Sequence, residues 1–190
     1  GVRLVGSEMC IRDSMNTPYR ILMICTGNIC RSIMAEIIAR AEVEARGLYE
    51  SHVAIGSAAV TTEETGHSID YRAHAELTRA GYSIPPHKAH QATHDELANA
   101  DLILAMTTDH LRSLHQLCRH YCIKNPHILL FRTFDTVCNP QLHISTDVAD
   151  QILDVEDPWF GGPEDFTTTR ETLERCTPAI IDYAEEQLSK

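Results

Sequence analysis

Long apolar runs, internal repeats and low-complexity tracts are all missing from this 190-residue chain. The longest apolar stretches, such as residues 21–25 and 128–131, have the length of a strand, well short of the ~20 residues that a membrane-spanning helix needs. A hydrophobic share of 43% is ordinary for a globular protein. The sequence therefore excludes a membrane span and a repeat array, and it predicts one soluble domain.

Positive charge is also scarce. The chain has 16 Lys and Arg residues against 27 Asp and Glu residues, a formal net charge of −11. Nucleic acids and anionic membranes repel a net anion, so neither is expected as a partner. Because a phosphorylated substrate would be repelled at long range too, any phosphate site must be a local nest of positive potential.

The seven cysteines lack regular spacing, and no cleavable signal peptide is visible. We therefore expect a cytoplasmic protein, in which cysteines are more often catalytic than structural. Residues 1–14 show neither a helix nor a strand pattern and precede Met15. We interpret Gly1–Ser14 as a non-native leader and residues 15–190 as the domain.

Strand-length apolar segments alternate with amphipathic helical segments along the chain. This alternation predicts one α/β domain with a mostly parallel, four-stranded sheet flanked by helices. Ligands of such sheets bind beyond the carboxyl ends of the strands. The pattern predicts strands at Arg20–Cys25, Val53–Ala59, Asp101–Met106 and His127–Phe131, helices at Arg31–Arg46, Asp70–Ala80, Thr93–Ala100, Thr108–His120 and Pro163–Leu188, and a long surface loop over residues 132–156.

The segment CTGNICRS, residues 25–32, joins the first predicted strand to the first helix and places a cysteine and an arginine six positions apart. A loop of this length can wrap a tetrahedral anion with its amide donors, and the following helix adds its N-terminal dipole. The same donors stabilise a thiolate at Cys25, and the planar fork of Arg31 matches two phosphate oxygens. We expect Gly27 to supply backbone freedom, Asn28 to adopt a left-handed conformation, and Ser32 to donate a hydrogen bond to the sulfur.

A cysteine and an arginine at this spacing often occur by chance, as a buried strand-end residue and a surface residue. The preceding strand, the Gly-Asn pair and the serine after the arginine favour the phosphate site. A second motif, DPWFGG at residues 157–162, supplies an acid in a proline-stiffened turn. Asp157 could protonate the oxygen of a leaving group, and Trp159 and Phe160 could form a wall against an aryl group. Alternatively, the turn simply precedes the last helix and Trp159 belongs to the core.

Three stretches, Arg20–Glu36, Asp101–Met106 and Asp157–Phe166, together resemble the low-molecular-weight protein tyrosine phosphatase family, and the similarity extends from about Tyr19 to Leu188. The resemblance implies a Rossmann-like, three-layer α/β fold. It also implies hydrolysis of phosphotyrosine monoesters through a phosphocysteine intermediate, without a metal or a cofactor.

The resemblance also assigns roles by position. Cys25 matches the nucleophile, Arg31 the phosphate-binding arginine and Asp157 the general acid. Cys30 matches a second loop cysteine that, in many relatives, forms a reversible disulfide with the nucleophile. The implied phosphate-binding residues are Thr26, Gly27, Asn28, Ile29, Cys30, Arg31 and Ser32, and the implied substrate-binding residues are Trp159 and Phe160.

The sequence departs from the family pattern at several positions. Ile33 replaces the usual proline after Ser32, and Trp159 and Phe160 replace an aromatic pair that is often tyrosine. Residues 61–66 lack the aromatic residue that often borders the substrate cleft, so substrate specificity does not follow from the resemblance alone.

Other functions stay open at this point. Thioredoxin-coupled arsenate reductases share the loop but carry a cysteine pair near the third strand, where residues 101–109 have none. Protein-arginine phosphatases typically have threonine at the position of Ile29, and the bulky isoleucine favours phosphotyrosine. A zinc site on the face of His115, Cys118 and Cys122 is a hypothesis of another class, and so is a phosphate-binding domain without activity.

The partners that the resemblance implies are tyrosine-phosphorylated proteins. A bacterial tyrosine kinase is one candidate, because bacterial relatives often act beside such kinases.

Overall fold

A parallel sheet of four strands forms the middle layer of the computed structural model, which describes residues 17–137 and 153–189. The strands follow the order β2-β1-β3-β4, so the chain crosses from one side of β1 to the other between β2 and β3. The strands are β1 (Tyr19–Cys25), β2 (Val53–Ala59), β3 (Leu102–Ala105) and β4 (Ile128–Leu130), and the helices are α1 (Arg31–Ala45), α2 (Tyr71–Arg79), α3 (His94–Asn99), α4 (Thr108–His120) and α5 (Pro163–Leu188).

The three layers follow from the alternation of side chains along the strands. In β1, Ile21 and Met23 belong to the core cluster that contains α1, α2 and α5, whereas Leu22 and Ile24 belong to the cluster that contains α3 and α4. All four side chains are buried, as expected for a parallel strand with helices on both faces. The predicted fold class, an α/β domain with a four-stranded parallel sheet, is confirmed.

The helix ends agree with the sequence signals. Asp70 caps α2 by accepting a hydrogen bond from the backbone N–H of Arg72, and Thr93 and Glu96 form a capping box at α3. Gly47 and Gly81 follow α1 and α2 with left-handed φ angles of 69° and 89°, which glycine adopts more readily than any residue with a Cβ atom.

The prediction of a surface loop over residues 132–156 is wrong at buried positions such as Asp135 and Val155, whereas Val137 and Glu156 are exposed; residues 138–152 lie outside the described residues. Phe131–Phe134 form a 3-10 turn, and Phe131 and Asp135 are fully buried. Asp135 forms ion pairs with both Arg132 and Arg175. Because the buried group is charged, the sequence shows no hydrophobic periodicity here from which its burial could be predicted.

The predicted leader, residues 1–14, also lies outside the described residues and stays a prediction. In the ranges 17–137 and 153–189, no helix is both long and apolar enough to cross a membrane.

Candidate active site

The loop of residues 26–30 lies at the carboxyl end of β1, beside the point where the strand order reverses. Cys25 is the last residue of β1, and Arg31 is the first residue of α1. Both side chains are buried, as are Asn28 and Ser32. The segment therefore has the strand, loop and helix context that a phosphate-binding loop requires.

Two polar groups contact the sulfur of Cys25. The backbone N–H of Asn28 donates to Sγ at 3.3 Å, and the Ser32 hydroxyl lies 3.0 Å from Sγ. The side-chain amide of Asn28 donates to Ser32 Oγ at 2.9 Å. Ser32 therefore accepts this hydrogen bond, and its own hydroxyl proton can be donated to the sulfur. Both groups are thus placed to donate to sulfur, so the base of the loop can stabilise negative charge on Sγ.

Asn28 holds the loop in shape. It adopts a left-handed φ of 59°, as its residue type allowed, and its amide also donates to Ser57 Oγ at 2.9 Å. The Nε2 atom of His87 lies 2.8 Å from the Asn28 carbonyl oxygen and must donate, because a carbonyl only accepts. Ser57 in turn donates to Glu36 Oε2 at 2.5 Å, so the loop is tied to β2 and to α1.

We expected glycine at position 27 because of its backbone freedom, but the structure shows a different reason. Gly27 does not adopt a left-handed φ; Asn28, the next residue, does. A Cβ atom at Gly27 would lie 2.7 Å from Cγ of Glu64, so glycine is needed there for the close approach of a neighbouring side chain.

Arg31 connects the loop to the segment of the predicted general acid. Its Nη2 lies 2.6 Å from Asp157 Oδ2, and its Nη1 donates to the carbonyl oxygen of Val155 at 3.2 Å. The Arg31 side chain is 6% exposed, whereas that of Asp157 is 42% exposed. The guanidinium is thus held below the surface, and the carboxylate lies at the mouth of the site.

Hydrogen bonds fix the Asp157 turn and the segment that precedes it. Before it, the backbone N–H of Val155 donates to the Met106 carbonyl oxygen at 2.8 Å, and Asp154 accepts hydrogen bonds from the backbone and hydroxyl of Thr108 at 2.7 and 2.9 Å. At the turn itself, Asp157 Oδ1 accepts from the backbone N–H of Trp159 at 3.1 Å. These contacts set where the second carboxylate oxygen lies.

Arg72, which the sequence did not suggest, supports the aromatic pair. Its guanidinium binds Asp70, donates to the Trp159 carbonyl oxygen at 3.0 Å and lies over the Trp159 ring, 5.3 Å from its centroid. Burial would raise the pKa of Asp70, but hydrogen bonds from Arg72 hold it below its ordinary value. Trp159 is partly exposed, so it is not a core residue, and Phe160 is 93% exposed.

Two further side chains border the loop. Burial raises the pKa of the Cys30 thiol, with Asp70 and Cys25 adding to the effect, so Cys30 stays protonated near neutral pH. Burial, with a smaller contribution from Arg31, lowers the pKa of His110 to about 4, and its Nε2 lies 2.8 Å from the Thr26 hydroxyl. His110 was missed because its sequence position gives no sign of this contact.

Among the described residues, no group of three or more His, Cys, Asp or Glu side chains is placed to hold a metal ion. The face proposed for zinc is divided, because Cys118 is buried and Cys122 is exposed. His87 contacts the loop at the Asn28 carbonyl oxygen, whereas His67 pairs with Glu64 at an exposed position.

Comparisons with known proteins agree with this geometry. A family model for low molecular weight phosphotyrosine protein phosphatase matches residues 20–190. The chain is 32% identical to low molecular weight protein-tyrosine phosphatase A of Mycobacterium bovis over 176 residues, which are 93% of this chain and 98% of the relative.

Solved structures of phosphatases are also similar to this chain. A protein tyrosine phosphatase from Entamoeba histolytica is similar with a TM-score of 0.72 and 26% identity, over 88% of this chain and 97% of that one. A variant of YwlE arginine phosphatase with a phosphorylated active-site serine is similar with a TM-score of 0.70 and 25% identity, over 89% and 99% of the two chains.

Proposed function

Because the chain belongs to the low molecular weight phosphotyrosine protein phosphatase family and is a phosphatase enzyme, we propose that it hydrolyses phosphotyrosine through a phosphocysteine on Cys25. The observation that carries this proposal is the joint position of three groups. Cys25 accepts hydrogen bonds at the base of the loop, Arg31 follows the loop as the first residue of α1, and Asp157 is paired to Arg31 at the mouth.

In the first step, the Cys25 thiolate attacks phosphorus and the bond from phosphorus to the tyrosine oxygen breaks. The amide groups of the loop and Arg31 bind the phosphoryl oxygens, and Asp157 gives its proton to the departing oxygen. In the second step, Asp157 takes a proton from water, the water oxygen attacks phosphorus and the sulfur leaves. The hydroxyl of Ser32 then stabilises the thiolate that re-forms.

The ion pair of Arg31 and Asp157 has a consequence for substrate binding. A phosphate dianion in the loop competes for the same guanidinium, because Arg31 Nη2 now lies 2.6 Å from Asp157 Oδ2. Once Arg31 binds the phosphate, the carboxylate has lost its cation and faces a dianion. Both changes favour the protonated carboxyl that the first step requires.

The substrate class rests on Ile29 and the aromatic pair. Ile29 is buried in the loop, and Trp159 and Phe160 offer apolar surface beside Asp157. An aryl leaving group can stack on such a surface, which supports tyrosine-phosphorylated proteins as substrates, a bacterial tyrosine kinase among the candidates. The alternative is a phosphoarginine substrate, because one structural relative is named an arginine phosphatase.

The test compares phosphotyrosine and phosphoarginine peptides of the same sequence, with purified enzyme and no added metal. We expect a higher kcat/KM for phosphotyrosine. An Ile29→Thr variant is a matched probe of the loop and is expected to shift the ratio towards phosphoarginine. A preference of the parent enzyme for phosphoarginine would overturn the substrate class, and no turnover of either peptide would overturn the proposed function.

We also propose that Cys25 and Cys30 form a reversible disulfide. Peroxide would oxidise the Cys25 thiolate to a sulfenic acid, and the Cys30 sulfur would then displace water to form the disulfide. Both cysteines are buried and free in the structure. After peroxide treatment, we expect thiol to restore activity to the parent enzyme and far less to Cys30→Ser. Equal recovery of the two proteins would contradict the protective role, and Cys118→Ser serves as the control.

A further inference from the structure

His110 is buried but takes no part in the steps above. It is the third residue of α4 and is only 5% exposed, and its Nε2 lies 2.8 Å from Oγ1 of Thr26, which follows the nucleophile directly. The two residues are 84 positions apart in the chain, so this contact exists only because the fold brings α4 to the phosphate-binding loop.

The direction of this hydrogen bond follows from the other ring nitrogen. Nδ1 of His110 is buried and has no partner within the described residues. A proton on Nδ1 would be an unpaired buried donor, which is rare and costly in proteins. The neutral ring therefore carries its proton on Nε2, and Nε2 donates to the Thr26 hydroxyl oxygen.

The His110 ring is neutral near neutral pH. Burial and the nearby Arg31 lower the pKa of His110 to about 4, and the neighbouring Asp109 opposes them only in part. Below that value the added proton would go to Nδ1, so Nε2 would still donate to Thr26. The orientation of the hydrogen bond is thus independent of pH.

Thr26 is held by both its backbone and its side chain. Its carbonyl oxygen accepts from the backbone and hydroxyl of Thr61, at 3.2 and 3.1 Å, while its own hydroxyl oxygen accepts from His110. Thr26 is exposed, whereas Cys25 next to it is buried. With His110 as the donor to its oxygen, the Thr26 hydroxyl keeps its own proton available to donate to another group at this exposed position.

We propose that His110 is a positioning residue, which fixes the Thr26 hydroxyl so that it donates a hydrogen bond to an oxygen of the bound phosphoryl group. This inference rests on the proposed function and adds a donor to its phosphate site. It parallels the arrangement at the base of the loop, where the Asn28 amide donates to Ser32 and frees that hydroxyl for Cys25.

The contacts of the first turn of α4, which carries His110, support this role. The same first turn of α4 also binds the segment of the general acid, since Thr108 donates to Asp154 at 2.7 and 2.9 Å. Thr107 caps the helix by accepting from the backbone N–H of His110 at 3.2 Å, which holds residue 110 in place. One helix end thus sets both the loop and the acid segment.

Four variants test the pair. Thr26→Val removes the hydroxyl with little change of shape, and His110→Leu removes the donor; Thr26→Ser and His110→Gln keep a hydroxyl and a side-chain N–H. The measurements are kcat and KM with a phosphotyrosine peptide, the inhibition constant of inorganic phosphate, and stability in urea. The double variant Thr26→Val with His110→Leu completes a cycle.

We expect Thr26→Val and His110→Leu each to raise KM and the inhibition constant of phosphate by about tenfold, the effect of one good hydrogen bond to an anion, with kcat within about threefold. The double variant should bind phosphate no more than about twofold worse than either single variant, since both remove the same interaction. Thr26→Ser and His110→Gln should stay near the parent. A merely structural histidine would lower stability and leave the inhibition constant of phosphate unchanged.

Additive effects, or unchanged phosphate inhibition in Thr26→Val, would overturn the inference. If His110→Leu does not fold, Thr26→Val and His110→Gln decide the question, because position 26 is exposed and glutamine keeps a donor. Turnover by the parent enzyme is measured first. Its absence would contradict the proposed function, whereas parent turnover with variants that bind phosphate normally contradicts only the role of His110.

Discussion

Replacement of Cys25 by serine is expected to lower phosphotyrosine turnover by about 10⁴-fold or more, because loss of a covalent nucleophile removes the whole reaction path that depends on it. Serine keeps the shape of the side chain at this buried position, and Asn28 and Ser32 remain to bind the new hydroxyl. At neutral pH, however, that hydroxyl is not ionised, so its oxygen is a far weaker nucleophile than a thiolate. The measurement is kcat/KM with a phosphotyrosine peptide.

A matched control for this variant lies in the same loop. Cys30 is also buried, but its thiol is held protonated by burial and by Asp70. Under reducing conditions, Cys30→Ser should therefore keep kcat/KM within about tenfold, the cost of a modest shift in the loop. If Cys30→Ser were as inactive as Cys25→Ser, or if Cys25→Ser kept substantial activity, the assignment of the nucleophile would be wrong.

Replacement of Asp157 by alanine is expected to lower kcat by about 10²- to 10³-fold with phosphotyrosine, within the range that general acids contribute. The loss should depend on the leaving group. A nitrophenolate departs without a proton, so nitrophenyl phosphate should lose far less activity than phosphotyrosine. Phosphate affinity should stay the same or improve, because Asp157 Oδ2 no longer pairs with Arg31.

The control for this variant is the preceding residue, Glu156, which is exposed and carries the same charge. Glu156→Ala removes one negative charge from the mouth of the site without removing the proposed acid, and it should keep kcat within about threefold, as a screened surface charge would allow. Equal losses with both leaving groups, or equal losses in the two variants, would show that Asp157 acts through charge or stability and not by giving a proton.

Most of the fold could be predicted because its signals are local. The strand Arg20–Cys25, the helix from Arg31 and the cap at Asp70 each depend on residues within a few positions of one another, and the structure agrees with them within one or two residues. The parallel sheet followed from the alternation of strands and helices. The candidate nucleophile and arginine were visible for the same reason, since one segment of eight residues, 25–32, carries both.

The contacts that complete the site could not be predicted, because they join distant parts of the chain. Arg31 and Asp157 are 126 positions apart, Arg72 and Trp159 are 87 apart, and nothing near His110 marks it as a neighbour of the loop. Ser57 did leave a signal, as the one hydroxyl in the otherwise small and apolar strand β2. A polar residue in a buried strand usually has a partner, and here the partner is Asn28.

The central claim is that a phosphoryl group passes through the sulfur of Cys25. Rapid acid quenching of the Asp157→Ala enzyme during turnover of nitrophenyl phosphate tests it directly, because that substrate still donates its phosphoryl group while the second step lacks its base. Mass spectrometry of the digested protein should find one phosphoryl group on the peptide with Cys25, bound to sulfur, and none in Cys25→Ser treated alike for the same brief time. Turnover without this adduct, or a phosphoryl group on another residue, would contradict the account.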